Sequence, residues 1–134
     1  MDEIINYGKQ CIEEDDIEAL VRVLQSDYLT TRPEIEAFER ELCEYTNAKY
    51  AIAVSNGTAA LHLAVLALDM PAGSVGITTP NTFVATSNAL LYSGHTPQFV
   101  DIDPKSYVIK TKKMRETISN TNGKVVLPVH FAGH

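Results

Sequence analysis

The sequence predicts an α/β fold built on a mostly parallel sheet, and three observations carry that prediction. Short β-branched and apolar runs recur at residues 50–54, 75–79, 98–102 and 124–129, each of strand length. Longer stretches of helical character separate them, near residues 59–68, 83–91 and 112–118. Turn formers punctuate the alternation at Pro71-Ala72-Gly73, Ser93-Gly94 and residues 120–123. Strand and helix in regular alternation give β-α units, which bring successive strands into a parallel sheet.

Two helices precede this region. Ile17, Leu20, Val21 and Leu24 recur at helical spacing behind the acids of residues 13–16, whose charges suit the positive end of a helix dipole. That helix is expected to stop near Ser26, with Asp27, Tyr28, Leu29 and Thr30 running on as an extended linker. Thr31 and Glu34 then form a capping-box pair for a second helix carrying Ile35, Phe38, Leu42 and Tyr45, with Pro33 tolerated only in its first turn. No internal repeat or low-complexity segment interrupts the pattern.

At 134 residues the chain has the length of one average domain. Its net charge is −6 and its basic residues are scattered, Lys112 and Lys113 being the densest pair, which argues against a nucleic-acid surface. The acidic start Met1-Asp2-Glu3 lacks the basic residues of a signal peptide, and the longest apolar run, residues 59–68, is too short for a bilayer. A cytoplasmic protein without membrane partners is expected. Cys11 and Cys43 have neither C-x-x-C spacing nor a secreted context, so they read as free, buried thiols.

In open α/β sheets ligands bind beyond the carboxyl ends of the strands. That edge is expected to hold residues 55–58, 80–83, 101–104 and 130–134, while Lys49 and Lys124 fall at the opposite edge. The most informative of these segments is Ser55-Asn56-Gly57-Thr58, a tight turn that opens an apolar helix. A helix N-terminus exposes unpaired N–H groups and positive potential, and Gly57 lets a ligand approach the backbone, so phosphate is the favoured guest. The turn matches neither G-x-G-x-x-G nor the P-loop pattern.

Other chemistry is weaker. Asp101-Ile102-Asp103 resembles the strand-end Asp-x-Asp of haloacid-dehalogenase-type phosphatases, where one carboxylate attacks and the other protonates; an Asp-rich turn is the blander reading. His130 and His134 have the spacing of a helical metal pair, but Ala132-Gly133 between them does not favour helix and no carboxylate adjoins them. No metal site is expected. His62 reads as a packed helical histidine and His95 as a turn residue following Gly94.

The segments Ile5-Asn6-Tyr7-Gly8-Lys9-Gln10, Ser26-Asp27-Tyr28-Leu29-Thr30, Ala48-Lys49-Tyr50-Ala51, Ser55-Asn56-Gly57-Thr58-Ala59-Ala60-Leu61-His62-Leu63-Ala64, Thr79-Pro80-Asn81-Thr82-Phe83-Val84-Ala85-Thr86 and Pro128-Val129-His130 together resemble the N-terminal third of the DegT/DnrJ/EryC1/StrS aminotransferases. The resemblance implies the first part of the large domain of the aspartate aminotransferase fold, PLP fold type I, with an incomplete sheet. It implies pyridoxal 5'-phosphate as cofactor, glutamate as amino donor and a UDP-linked 4-keto-6-deoxy sugar as acceptor, as in the pseudaminic acid branch, and a homodimeric full-length enzyme. Residues 1–47 would form an N-terminal arm and two helices, and residues 48–134 the beginning of the cofactor-binding domain, with the small domain absent.

Residue by residue, the resemblance implies that Gly57, Thr58 and Ala59 hold the cofactor phosphate and that Phe83 stacks on its ring. Without it, Phe83 reads as a core aromatic opening a helix. It also implies that Tyr7, Asp27, Tyr28, Leu29, Thr30 and Gly57 contact the nucleotide sugar. Arg32 stands where the family usually has glycine, and Ser74-Val75-Gly76 replaces an acidic residue and an apolar pair, which weakens the start of that strand. The family's ring-pairing acid and cofactor-binding lysine fall beyond His134, so the chain is expected to be inactive alone. The four strands are expected not to be all neighbours, with an absent strand between the last and the middle pair. Two alternatives stand beside this reading: a phosphate-ligand binding module, and the Asp101 phosphatase.

Overall fold

The acids of the first turn and the apolar stripe behind them produce a helix where expected, α1, Glu14–Leu24. In this computed structural model, which describes residues 8–30 and 33–134, Asp16 closes the start of α1 by accepting the Glu13 N–H at 2.9 Å. Helix α2, Pro33–Thr46, places Pro33 in its first turn, where no intrahelical N–H is needed. Thr31 and Arg32, and with them the capping-box partner and the departure from glycine, lie outside the described residues. Asn47 takes the left-handed conformation (φ 56°) and the Ala48 N–H reaches back to the Cys43 carbonyl at 3.1 Å, ending α2.

The chain divides into two units, Met1–Ala53 and Val54–His134. In the first unit the apolar stripe of α1 (Ile17, Leu20, Val21, Leu24) and that of α2 (Ile35, Phe38, Leu42) remain exposed. Cys11 is exposed and Cys43 half-buried, so both thiols are free but neither is buried; each sits on a helix or arm with too little apolar cover around it.

Residues 50–54 do not form the expected first strand. A strand exists only by pairing, and no ladder partner is present for this run among the described residues. Tyr50 and Ile52 stay exposed, and the Ala53 N–H is satisfied by the Glu39 carboxylate at 2.7 Å instead of a neighbouring strand.

The second unit has three layers. Helix α3, Gly57–Leu66, and helix α4, Ala85–Tyr92, cover one face of a parallel sheet made of β1, Val75–Thr78, β2, Thr96–Phe99, and β3, Val125–Val126. Helix α5, Thr111–Thr121, packs on β1 from the other face. The order is β2-β1-β3, so the last strand lies directly beside the first, with Gly76 opposite Val125 and Ile77 opposite Val126. No further strand separates them, contrary to the expected spacing. Pro97, which lacks an N–H, is confined to the edge strand β2.

Strand alternation builds the two cores. Ile77 and Val126 point to the α5 face, where Val100, Ile109, Met114 and Ile118 gather around them. Val125 points the other way, joining Leu127, Val65, Ala89, Leu90 and Leu61. Gly76 in place of a larger residue does not prevent the strand: its missing side chain makes room for Leu90, which is fully buried. Beside the edge of β3 that has no strand partner among the described residues lies an apolar cleft of about 360 Å³, lined by Leu61, Val65, Leu68, Val125 and Leu127. Leu63 and Leu66, on the uncovered side of α3, are about half exposed.

Candidate functional site

The turn into α3 is organised by Asn56. Its backbone is extended (φ −170°, ψ 169°), its side-chain Oδ1 accepts the Ala59 N–H at 2.9 Å, and its carbonyl accepts the Ala60 N–H at 3.1 Å. The Ala60 contact is the first regular intrahelical bond, so Asn56 settles one of the terminal N–H groups, that of Ala59, and those of Gly57 and Thr58 have no partner among the described residues. Ala59, the third residue expected to hold phosphate, has its N–H directed to Asn56. A Cβ built on Gly57 would meet no atom within 4 Å, and its φ is not positive. Neither packing among the described residues nor backbone conformation demands glycine there.

Phe83 lies in the loop between β1 and α4, and it is 75% exposed. It is not a core residue, and α4 begins two positions later, at Ala85. The loop is held by other groups: Thr82 and Thr86 hydroxyls lie 2.8 Å apart, the Thr86 N–H donates to the Phe83 carbonyl at 3.0 Å, and Asn81 Nδ2 donates to the Tyr107 carbonyl at 3.4 Å. Phe83 thus presents a ring to solvent from an anchored loop at the carboxyl end of β1. Next to that loop, Thr78 Oγ1 donates to the Leu127 carbonyl at 2.9 Å, while the fully buried Thr79 hydroxyl has no partner among the described residues.

The remaining candidates are arranged differently. Asp27, Tyr28, Leu29 and Thr30 follow α1 in the first unit, where the Ser26 hydroxyl accepts the Tyr28 N–H at 3.4 Å; all four side chains are exposed. Tyr7 lies outside the described residues. Asp103 caps its own turn, accepting the Lys105 and Ser106 N–H groups at 2.9 and 3.1 Å. Those backbone hydrogen bonds hold its carboxyl below the usual carboxylate range, the opposite of what a proton donor needs. Asp101 is exposed and sits 3.6 Å from the Lys113 ammonium. The Asp-x-Asp pair is thereby used by a turn and a surface ion pair.

His130 Nδ1 is 2.9 Å from the His134 carbonyl oxygen across a short 3-10 turn, Phe131–Gly133. His62 packs edge-on against Tyr92 with ring centres 5.6 Å apart, and His95 is buried, its backbone N–H donating to the Leu90 carbonyl at 2.8 Å while its ring Nδ1 has no partner among the described residues. Lys124 donates to Asn122 Oδ1 at 3.2 Å, and the Lys49 ammonium lies 5.1 Å from the Tyr50 ring centre. Among the described residues no helix is long and apolar enough to cross a membrane.

Capping by its own Ser or Asn is the bland reading of such a turn, and Asn56 is the cap. Thr79 is not legible in the sequence, since nothing there says that a hydroxyl just past the end of a strand will be sealed without a partner.

The sequence model of the DegT/DnrJ/EryC1/StrS aminotransferase family matches residues 10–134. The chain is 36% identical over 127 residues to the spore coat polysaccharide biosynthesis protein SpsC of Bacillus subtilis, covering 95% of this chain and 32% of that protein. Among solved structures, Helicobacter pylori PseC, an aminotransferase involved in the biosynthesis of pseudoaminic acid, superposes with a TM-score of 0.87 at 33% identity, covering 96% of this chain and 34% of that one. NtdA from Bacillus subtilis, with bound cofactor PMP, gives a TM-score of 0.79 at 38% identity over 91% of this chain and 29% of its own. The chain spans about a third of the length of the curated relatives it matches.

Proposed function

Because the chain belongs to the DegT/DnrJ/EryC1/StrS aminotransferase family, we propose that it forms the phosphate-holding and ring-stacking part of a pyridoxal-phosphate-dependent sugar aminotransferase. The reaction of the complete enzyme is proposed to move the amino group of glutamate to a UDP-linked 4-keto-6-deoxy sugar, in a homodimer, as the family resemblance implies; PseC, to which the chain is similar, is an aminotransferase involved in the biosynthesis of pseudoaminic acid. The cofactor, when bound, supplies an electron sink for amino transfer. This chain's own residues bind and orient it: the Gly57 and Thr58 N–H groups and the α3 dipole hold the phosphate, Ala59 continues the cup, and Phe83 covers the ring. Tyr7 and residues 27–30 are proposed to meet the nucleotide sugar. The residues present fit the group on one observation above all, the α3 terminus with two N–H groups to spare and open space over Gly57.

Binding of the cofactor by these 134 residues is proposed to be non-covalent and without turnover, as the family resemblance implies. The test is a titration with pyridoxamine phosphate against pyridoxamine, followed by ligand fluorescence. Saturable binding of the phosphorylated form only, weakened at least tenfold in Gly57→Val, supports the reading. Equal binding of both forms, or of neither, refutes it.

A further inference from the structure

We propose that Asn81 and Tyr107 are positioning residues for the Phe83 ring, joining the loops that follow β1, β2 and β3 into one support. The inference rests on the ring-stacking role of Phe83 proposed above. The three strands are parallel, so all three loops leave the same edge of the sheet, the edge where open α/β folds take ligands. Tyr107 touches each loop. Its carbonyl accepts Asn81 Nδ2 at 3.4 Å, two residues before Phe83, and its N–H donates to the Asp103 carbonyl at 2.8 Å within its own loop. Its ring centre lies 5.7 Å from that of Phe131, in the turn after β3, with the two planes tilted by 48°.

Two observations set this knot apart from ordinary loop packing. Tyr107 has a left-handed backbone, φ 60°, a conformation that glycine adopts freely and that strains a bulky side chain. A glycine there would relieve the strain but would lose the contact with Phe131, so the tyrosine is held in place by what its ring touches. The second observation is the exposure of Phe83 itself: at 75% exposed, the ring has little packing of its own and takes its direction from the backbone of its loop. The Thr82–Thr86 contact and the Thr86 N–H on the Phe83 carbonyl join that loop to α4, and Asn81 joins it to the loop after β2. A stacking ring that is already oriented loses less freedom when a ligand arrives, which favours binding.

The support acts through Phe83, and that dependence is what the experiment reads. In the full chain, Asn81→Ala and Tyr107→Gly are each expected to weaken binding of pyridoxamine phosphate about threefold to tenfold, followed by ligand fluorescence. Tyr107→Phe, which keeps the ring and the carbonyl, is expected to bind within about twofold of wild type. In a Phe83→Ala background, Asn81→Ala is expected to change affinity by less than about twofold, because no ring is left to position. Wild-type affinity in Asn81→Ala or Tyr107→Gly overturns the proposal, as does an equal loss with and without Phe83, the mark of a merely structural role. Wild-type affinity in Phe83→Ala refutes the stacking role of Phe83 instead, absence of phosphate-dependent binding by the wild-type chain refutes the phosphate-site reading, and the inference falls with either.

Discussion

Gly76 is the position where the second unit's packing can be tested most directly. It lies in the central strand β1, paired to Pro97 on one side and Val125 on the other. An alanine Cβ there would overlap Leu90 Cδ2 and stand 2.7 Å from Cδ1 and 3.0 Å from Cγ. Leu90 has no exposed surface and is backed by Val65, Ala89 and Leu127, so its side chain has nowhere to swing. Overpacking of this kind costs about 1–3 kcal/mol. Replacing a strand glycine offsets about 0.5–1 kcal/mol through the unfolded chain. The net expectation for Gly76→Ala is a loss of roughly 1–2 kcal/mol. Leu90→Ala alone should cost about 2–5 kcal/mol by leaving a cavity. In the double variant the new methyl enters that cavity, so the combined loss should fall short of the sum by about 2 kcal/mol. Urea unfolding at 25 °C followed by far-UV circular dichroism measures each corner of the cycle. Additivity within about 0.5 kcal/mol would show that Gly76 and Leu90 do not share this space, and would refute the reasoning.

Adjacent threonines should respond with opposite sign. Thr78→Val removes the donor to the Leu127 carbonyl and should cost about 1–3 kcal/mol, whereas Thr79→Val removes a sealed, unpartnered hydroxyl and should be neutral or stabilising by up to about 1 kcal/mol; equal losses in denaturant melts would contradict the assignment. Phe83→Ala should leave the melting temperature close to wild type, since the ring is 75% exposed, while weakening binding of pyridoxamine phosphate measured by fluorescence. Asp103 has a lowered folded pKa, so its contribution is present above the unfolded value of roughly 4 and is lost as pH falls through the folded value. Wild type should therefore lose melting temperature relative to Asp103→Asn, which keeps a turn acceptor but does not titrate, as pH drops from 5 to below 4. A constant difference between the two over that range would count against the turn's dependence on charge.

What the sequence determined by itself is what short-range chemistry controls. The acids of residues 13–16 and the apolar spacing behind them set α1, Pro33 marked the start of α2, and Asn56 with Gly57 opened α3. Each follows from contacts within about one helical turn, which residue type alone specifies. The family was also legible, because motifs in fixed order carry information that folding need not supply.

Tertiary structure decided the rest. Residues 50–54 have strand composition, but a strand is a relation between two segments, and here the Glu39 carboxylate takes the Ala53 N–H. The neighbour of β1 on its second side, β3, follows from long-range pairing that no local pattern encodes. Whether Phe83 would be core or surface, and whether Cys11 and Cys43 would be buried, depended on what packs beside them. Residue type nominates Asn56 as a cap, but the fold fixes which N–H group that cap takes, the Ala59 N–H.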